Sequence, residues 1–283
     1  MRQKGDERFA LYMSALDEVF GEIDGLVQDS LDQSQTDISL HELRKWLGRF
    51  SGGNKKAGYI FTLNQDLFFE RHGGRGSEFI PTLPGAPQGS DYSSVQGSPT
   101  IRKVALEKNI TFDQTVKQLG QVNVIKLHGS CNWISAIDGA GAMALGVNKH
   151  TSILNEPMLL RYQELFEKIL LSGDVRQLWI VGYGYGDPHI NSMIAEAAET
   201  KKLSIMSIHP FRPDEFFPML RSRICGDAIS RAVRGHYPNT LHGAFPWSEK
   251  KILGRLGTVL NNLIFGVSDG RTGLLLQIFM IEN

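Results

Sequence analysis

The sequence predicts an α/β fold, a doubly wound and mainly parallel sheet with helices on both faces. Three observations carry this expectation. Short, nearly all-apolar segments at 58–63, 122–127, 178–181 and 203–208 read as strands covered on both sides. Helix-patterned segments alternate with them. The first three strands run into polar clusters at Asn64/Asp66, at His128 and at 182–187. In open α/β sheets, ligands bind beyond the carboxyl ends of the strands.

The elements follow in order. Phe9, Tyr12, Leu16, Val19, Ile23 and Leu26 recur at steps of three and four, so residues 6–28 are expected as an amphipathic helix. A second helix is expected over 40–51, with Ser39 and Glu42 as a capping box and Gly52–Gly53 as its stop. Residues 1–57 thus form a helical N-terminal segment packed on a core that spans 58–225. Gly and Pro crowd into 73–100, which predicts an irregular loop or lid inserted in that core. A helix-like stretch at 101–119 precedes the strand that ends on HGS. Pro157 opens a helix over 156–172. The strand at 178–181 runs into GYGYGDPHIN, where Asp187 and Pro188 suit the N-cap and first position of a helix reaching about Thr200. After the strand at 203–208, HPFRPDEF leads into another helix. Residues 226–283 form a C-terminal extension. It is turn-rich over 226–247 and helical over 249–265, with Ile252, Leu256, Val259 and Leu263 on one face.

Bulk composition narrows the function. A chain of 283 residues that is 41% hydrophobic has enough apolar surface for a sizeable core. Thirty basic residues balance thirty acidic ones, so no electrostatic footprint for nucleic acid exists and no direct nucleic-acid binding is expected. Cys131 and Cys225 lie far apart and form no CxxC pair. That excludes a four-cysteine zinc site and argues against a secreted disulfide scaffold. Thiols in such a chain fit a reducing cytoplasm, the expected location. No segment has the length of a membrane span, and Leu274–Ile281 is only strand-length.

Each strand-end cluster has a chemical and a structural reading. Asn64 can orient a sugar hydroxyl or a water, and Asp66 can stabilise a developing cation; Asn and Asp also favour a plain Asx turn. His128, followed by Gly129 and Ser130, suits a general base near neutral pH, or an imidazole satisfied by backbone groups. The loop from Gly182 fails the GxGxxG pattern because Asp187 stands at the third glycine position. It fits close backbone approach to a ribose or a flexible phosphate arm, and equally a tight turn before a capped helix. His189 and Asn191 suit capping or packing, and Trp133 suits a core or pocket wall. There is no GxSxG elbow, HExxH pair or GxxxxGK[ST] loop. A nicotinamide dehydrogenase would need a true GxGxxG near the first strand.

Taken together, FTLNQDLFFE, VIKLHGSCNW and LWIVGYGYGDPHIN resemble, in that order, the sirtuin family, and more closely its bacterial sirtuin-like branch that hydrolyses NAD. Thr62, Asn64 and Asp66 match its T-x-N-x-D strand end. Lys126, Leu127, His128 and Gly129 match K-L-H-G. Gly182, Tyr183, Asp187 and Pro188 match the G-Y-x-x-x-D-P turn. The resemblance implies a Rossmann-like, sirtuin-like sheet and NAD as substrate. It makes His128, Asn64 and Asp66 catalytic. It places Thr62, Gly129, Ser130, Gly182, Tyr183, Gly184, Asp187 and Ile208 against NAD. It also implies an effector of antiphage defence that works as a homo-oligomer or with a partner defence protein.

Two departures shape that implication. Sirtuins carry four zinc-binding cysteines on a small module, which two cysteines cannot supply. No zinc is therefore expected, and NAD hydrolysis is favoured over protein deacylation. The family also begins with a strand ending in G-A-G-x-S, which cradles the pyrophosphate, and nothing in 1–57 matches it. The GAGA at 139–142 follows the His motif and does not replace it. The chain is then either a fragment whose start is missing or a member lacking that loop. The alternative to NAD hydrolysis is then a catalytically inactive or truncated sirtuin-like module that binds NAD or ADP-ribose or assembles with a partner.

Overall fold

The structure, a computed structural model, describes residues 43, 45–50, 58–72, 80–85, 103–108, 121–144, 149–173, 175–240, 244 and 278–282. Seven strands form the main sheet: β1 (Gly58–Thr62), β2 (Ile80–Thr82), β4 (Gln121–Lys126), β7 (Gln177–Val181), β8 (Ser204–His209), β9 (Val233–Pro238) and β10 (Ile278–Glu282). Their spatial order is β2-β4-β1-β10-β7-β8-β9. Every pairing is parallel except the two made by β10, which runs antiparallel to both β1 and β7. The expected mainly parallel α/β sheet is therefore present.

The central strands form where the sequence is mostly apolar. Ile60, Phe61, Val122, Val124, Ile125, Leu178, Ile180 and Ile205 are all buried. Alternate residues face opposite layers. Phe61 packs on Phe166 of α3 (Pro157–Leu171), with ring centroids 4.7 Å apart. Trp179, on the other face from Leu178 and Ile180, meets Trp46 of the helical residues 45–48 at 5.7 Å. Helices thus lie against both faces. Among the described residues the other helices are α1 (Phe68–His72), α2 (Lys149–Asn155), α4 (Pro188–Thr200), α5 (Pro213–Arg221) and α6 (Gly226–Ala232). No described helix is long and apolar enough to cross a membrane.

Several expectations are corrected. Within the stretch read as a loop or lid, residues 80–82 form an edge strand, the place in a sheet that tolerates Pro81. Residues 103–108 are not helical; Val104–Ala105 is β3. It joins β5 (Gly129–Ile134) and β6 (Gly141–Met143) in a second, three-stranded sheet. Residues 226–238, expected as turns, are α6 followed by β9. At Gly235 the Met206 side chain fills the space beside the strand: a Cβ there would stand 2.4 Å from Met206 Cε, so the thioether end would have to shift. The helices expected at 6–28 and 249–265, the capping box at Ser39 and Glu42, the Gly52–Gly53 stop, and residues 86–100 and 109–119 lie outside the described residues.

The largest difference is the place of β10. Met280 is registered with Ile60 on one side and Trp179 on the other, so a strand from the end of the chain holds the middle of the sheet. Deleting residues 278–283 should open the β1 and β7 edges. The expected result is a lower thermal midpoint and faster amide exchange in β1 and β7. Unchanged exchange in both strands would contradict the pairing.

Candidate functional site

Parallel strands deliver their carboxyl ends to one rim of the sheet. Thr62 is paired with Lys126, and the ladder continues as Leu127 N–H donates to Thr62 O at 2.9 Å. Asn64 and His128 therefore leave the sheet from neighbouring strand ends. Gln65 ties the two corners together: its Nε2 donates to His128 O at 3.2 Å and to Ala144 O at 3.1 Å.

The first corner is an Asx turn with a second duty. Asp66 Oδ1 accepts from Phe68 N at 2.9 Å, at the start of α1, while Oδ2 accepts from Asn64 Nδ2 at 3.0 Å. Asn64 N donates to Thr62 Oγ1 at 3.0 Å. Beneath lies the buried ammonium of Lys126, 1% exposed, which donates to Glu70 Oε1 at 2.6 Å, to Ser130 Oγ at 2.8 Å and to Asp66 O. Three acceptors require three N–H groups, which only the charged amine has. Burial pulls the Lys126 pKa down, but Glu70 and Asp66 outweigh it, and the net shift is upward.

The second corner depends on one glycine. Gly129 adopts φ +84°, and a Cβ on it would fall 1.9 Å from Ala142 O. No other residue fits this left-handed, close-packed position. The turn places the His128 ring under cover, 3% exposed, with Nε2 buried and lacking a hydrogen-bond partner among the described residues. Burial lowers its pKa from 6.5 to about 3, against the upward pull of Asp187 and with help from Lys149 and His189. At neutral pH the ring is an uncharged proton acceptor.

The third corner folds over the rim. Gly182, at φ +65°, turns the chain off β7 while its N–H donates to Ile208 O at 2.9 Å. The Tyr183 hydroxyl donates to Asn191 Oδ1 at 2.9 Å, and Asn191 Nδ2 donates to Tyr185 O at 3.0 Å. Among the described residues, nothing stands within 4 Å of where a Cβ on Gly184 or Gly186 would be, so the backbone there can be approached closely. Asp187 is the N-cap residue of α4 and Pro188 its first position, yet the Asp187 side chain makes no cap bond. Instead Oδ1 accepts from Lys149 Nζ at 2.8 Å and lies 4.0 Å from His128 Nε2.

A family profile described as the SIR2-like domain matches residues 58–222, more than half of the chain. The chain belongs to the SIR2-like domain family. Members of this family are typically NAD-dependent enzymes, with NAD as substrate. No curated protein matches this SIR2-like chain. Among its described residues, no group of three or more His, Cys, Asp or Glu side chains is placed to hold a metal ion.

Of the residues singled out from the sequence, His128, Asp187 and the Asn64–Asp66 corner gather at the rim. Thr62 and Ser130 are wholly buried and accept hydrogen bonds from Asn64 N and Lys126; Tyr183 locks the loop onto α4. Ile208 offers its carbonyl to Gly182. The sequence reading missed Gln65, Glu70 and Lys149, whose roles are pairings across 38 to 79 residues of chain. One signal was present for Glu70: a lysine inside the apolar QVNVIK strand demands a buried partner.

Lys126→Met should destabilise by about 3–5 kcal/mol, since it leaves Glu70 buried and uncompensated. Lys126→Met with Glu70→Leu should recover most of that loss in urea titrations. His128 gives a pH signature. With its folded pKa near 3 and its unfolded value near 6.5, the unfolded chain binds more protons between those limits. The His128 contribution is complete above pH 6.5 and is lost as pH falls towards 3. His128→Gln should flatten the acid limb of the urea midpoint over that window.

Proposed function

We propose that this chain hydrolyses NAD at the bond between nicotinamide and ribose. Water enters, nicotinamide and ADP-ribose leave, and one proton is released. The observation that carries the proposal is the neutral, buried His128 ring, which has no hydrogen-bond partner at Nε2 among the described residues, faces Asp187 Oδ1 at 4.0 Å and leaves the strand next to the one that carries the Asn64–Asp66 corner. Nicotinamide leaves as a neutral group from a cationic substrate, and the sugar becomes oxocarbenium-like. A fixed amide and carboxylate beside that sugar supply preorganised charge where it develops. An uncharged imidazole accepts the proton of the attacking water or of a ribose hydroxyl without repelling the cation. The glycine-rich loop offers backbone at Gly184 and Gly186 to a ribose or phosphate.

The likeness to NAD-hydrolysing sirtuin-like proteins supports a role as an effector of antiphage defence in the cytoplasm. Such an effector would work as a homo-oligomer or with a partner defence protein. A second reading, an NAD- or ADP-ribose-binding module without turnover, is favoured by one feature. The sheet position between β1 and β7 is held by antiparallel β10, and no G-A-G-x-S loop occurs in the sequence.

Purified chain incubated with NAD should release nicotinamide and ADP-ribose, followed by chromatography. His128→Ala should lower the rate by about 10²–10⁴-fold, and Asn64→Ala by about 10²–10³-fold, with melting curves retained. Binding of ADP-ribose without turnover at any protein concentration would select the second reading.

A further inference from the structure

Asp187 has an unexpected partner. A carboxylate at a helix N-cap ordinarily accepts from the first-turn N–H groups, but this one does not. Its Oδ1 is claimed by Lys149, the first residue of α2 and a residue outside all three strand-end motifs. The same oxygen faces His128 Nε2 at 4.0 Å, too far for a hydrogen bond and close enough to act through charge. One carboxylate oxygen thus stands between an ammonium that holds it and a buried ring nitrogen that has no partner.

We infer that Lys149 is a positioning residue for His128, acting through Asp187. Its ammonium restrains Asp187 Oδ1 and keeps the carboxylate from closing on the imidazole. Lys149 is suited to release, because its side chain is 33% exposed whereas Asp187 is 13% and His128 3% exposed. Once Lys149 is withdrawn, a shift of about 1 Å brings Asp187 within hydrogen-bond distance of Nε2. A proton on Nε2 is then donated to Asp187, and Nδ1 is left as the acceptor of a stronger base. The groups that act on the ring by charge are Asp187 from the loop before α4, Lys149 from α2, and His189 from α4. His189 in turn faces His150, with ring centroids 6.3 Å apart.

The inference rests on the proposed NAD chemistry only for its catalytic consequence; the coupling itself is measurable in the protein alone. The experiment follows the His128 ring resonances by NMR across pH in the full chain, in wild type and in Lys149→Gln, Lys149→Arg, Asp187→Asn and the Lys149→Gln/Asp187→Asn pair. Removing a like charge and admitting an opposite one should raise the His128 pKa by about one to three units in Lys149→Gln. Lys149→Arg should behave as wild type, and the double variant should lose the rise. A His128 titration unchanged in Lys149→Gln, or a rise that persists without Asp187, would overturn the inference. The NAD assay is read separately. If cleavage occurs, the acid limb of its pH profile should move upward in Lys149→Gln by the same amount as the NMR titration, and an unmoved limb would overturn the catalytic role. If no variant cleaves NAD, the proposed function fails while the NMR result still decides the coupling.

Discussion

The rim is organised around a positive charge in the protein interior. Lys126 sits at the last position of β4 and spends its three N–H groups on Glu70 of α1, the Asp66 carbonyl and Ser130 of β5. Those acceptors belong to both corners of the site. Burying an ion pair is seldom a net gain in stability over a well-packed apolar pair. Its value here is geometric. A side chain that must satisfy three directions at once fixes the turn after β1 relative to the turn after β4. Through the first turn it also fixes Asn64, which Asp66 holds by its other carboxylate oxygen.

The sheet order sets how far the third corner must reach. β4 and β7 are separated by β1 and β10, a lateral distance of three strand spacings, or about 14 Å. Asp187 nevertheless comes within 4.0 Å of His128. The loop from Gly182 achieves this by arching over the strand ends, and its own tyrosines fill the space beneath it. Tyr183 and Tyr185 are each 1% exposed, and Asn191 fastens both ends of the arch to α4. The loop thus sets Asp187 against His128, where its charge opposes the lowering of the imidazole pKa by burial.

Much of this was readable beforehand, and the omissions have physical reasons. Strands such as YIFT and QLWIV announce themselves because both faces are covered and nearly every position is apolar or aromatic. β2 and β3 are three and two residues long and sit at sheet edges, where pairing comes from the neighbour and leaves little trace in composition. β9 carries Arg234 and His236 and two breaker residues, Gly235 and Pro238, so its sequence reads as turns, and its strand form comes from pairing with β8. At the candidate site, the placement of Asn64, Asp66 and His128 at neighbouring strand ends was legible because topology dictates where a strand end points. Gln65 and Lys149 were not, because an amide clamp or an ion pair depends on which loop folds against which. Asp187 shows the limit most clearly: its position at the helix start was evident, whereas the use of its side chain was not.

The charges gathered at the rim fit the chemistry that these corners suit. Lys126 is paired with Glu70 and Lys149 with Asp187, and His128 adds no charge while it stays neutral. On the proposed reading, the substrate carries a positive charge on its leaving group and then on its sugar, and a protonated imidazole would add a like charge beside it at the start of the reaction. On that reading the low pKa of His128 keeps the ring uncharged while the nicotinamide is still cationic. Among the groups that act on the ring by charge, Asp187 is the carboxylate, and it stands 4.0 Å away, outside hydrogen-bond distance, while Lys149 holds it.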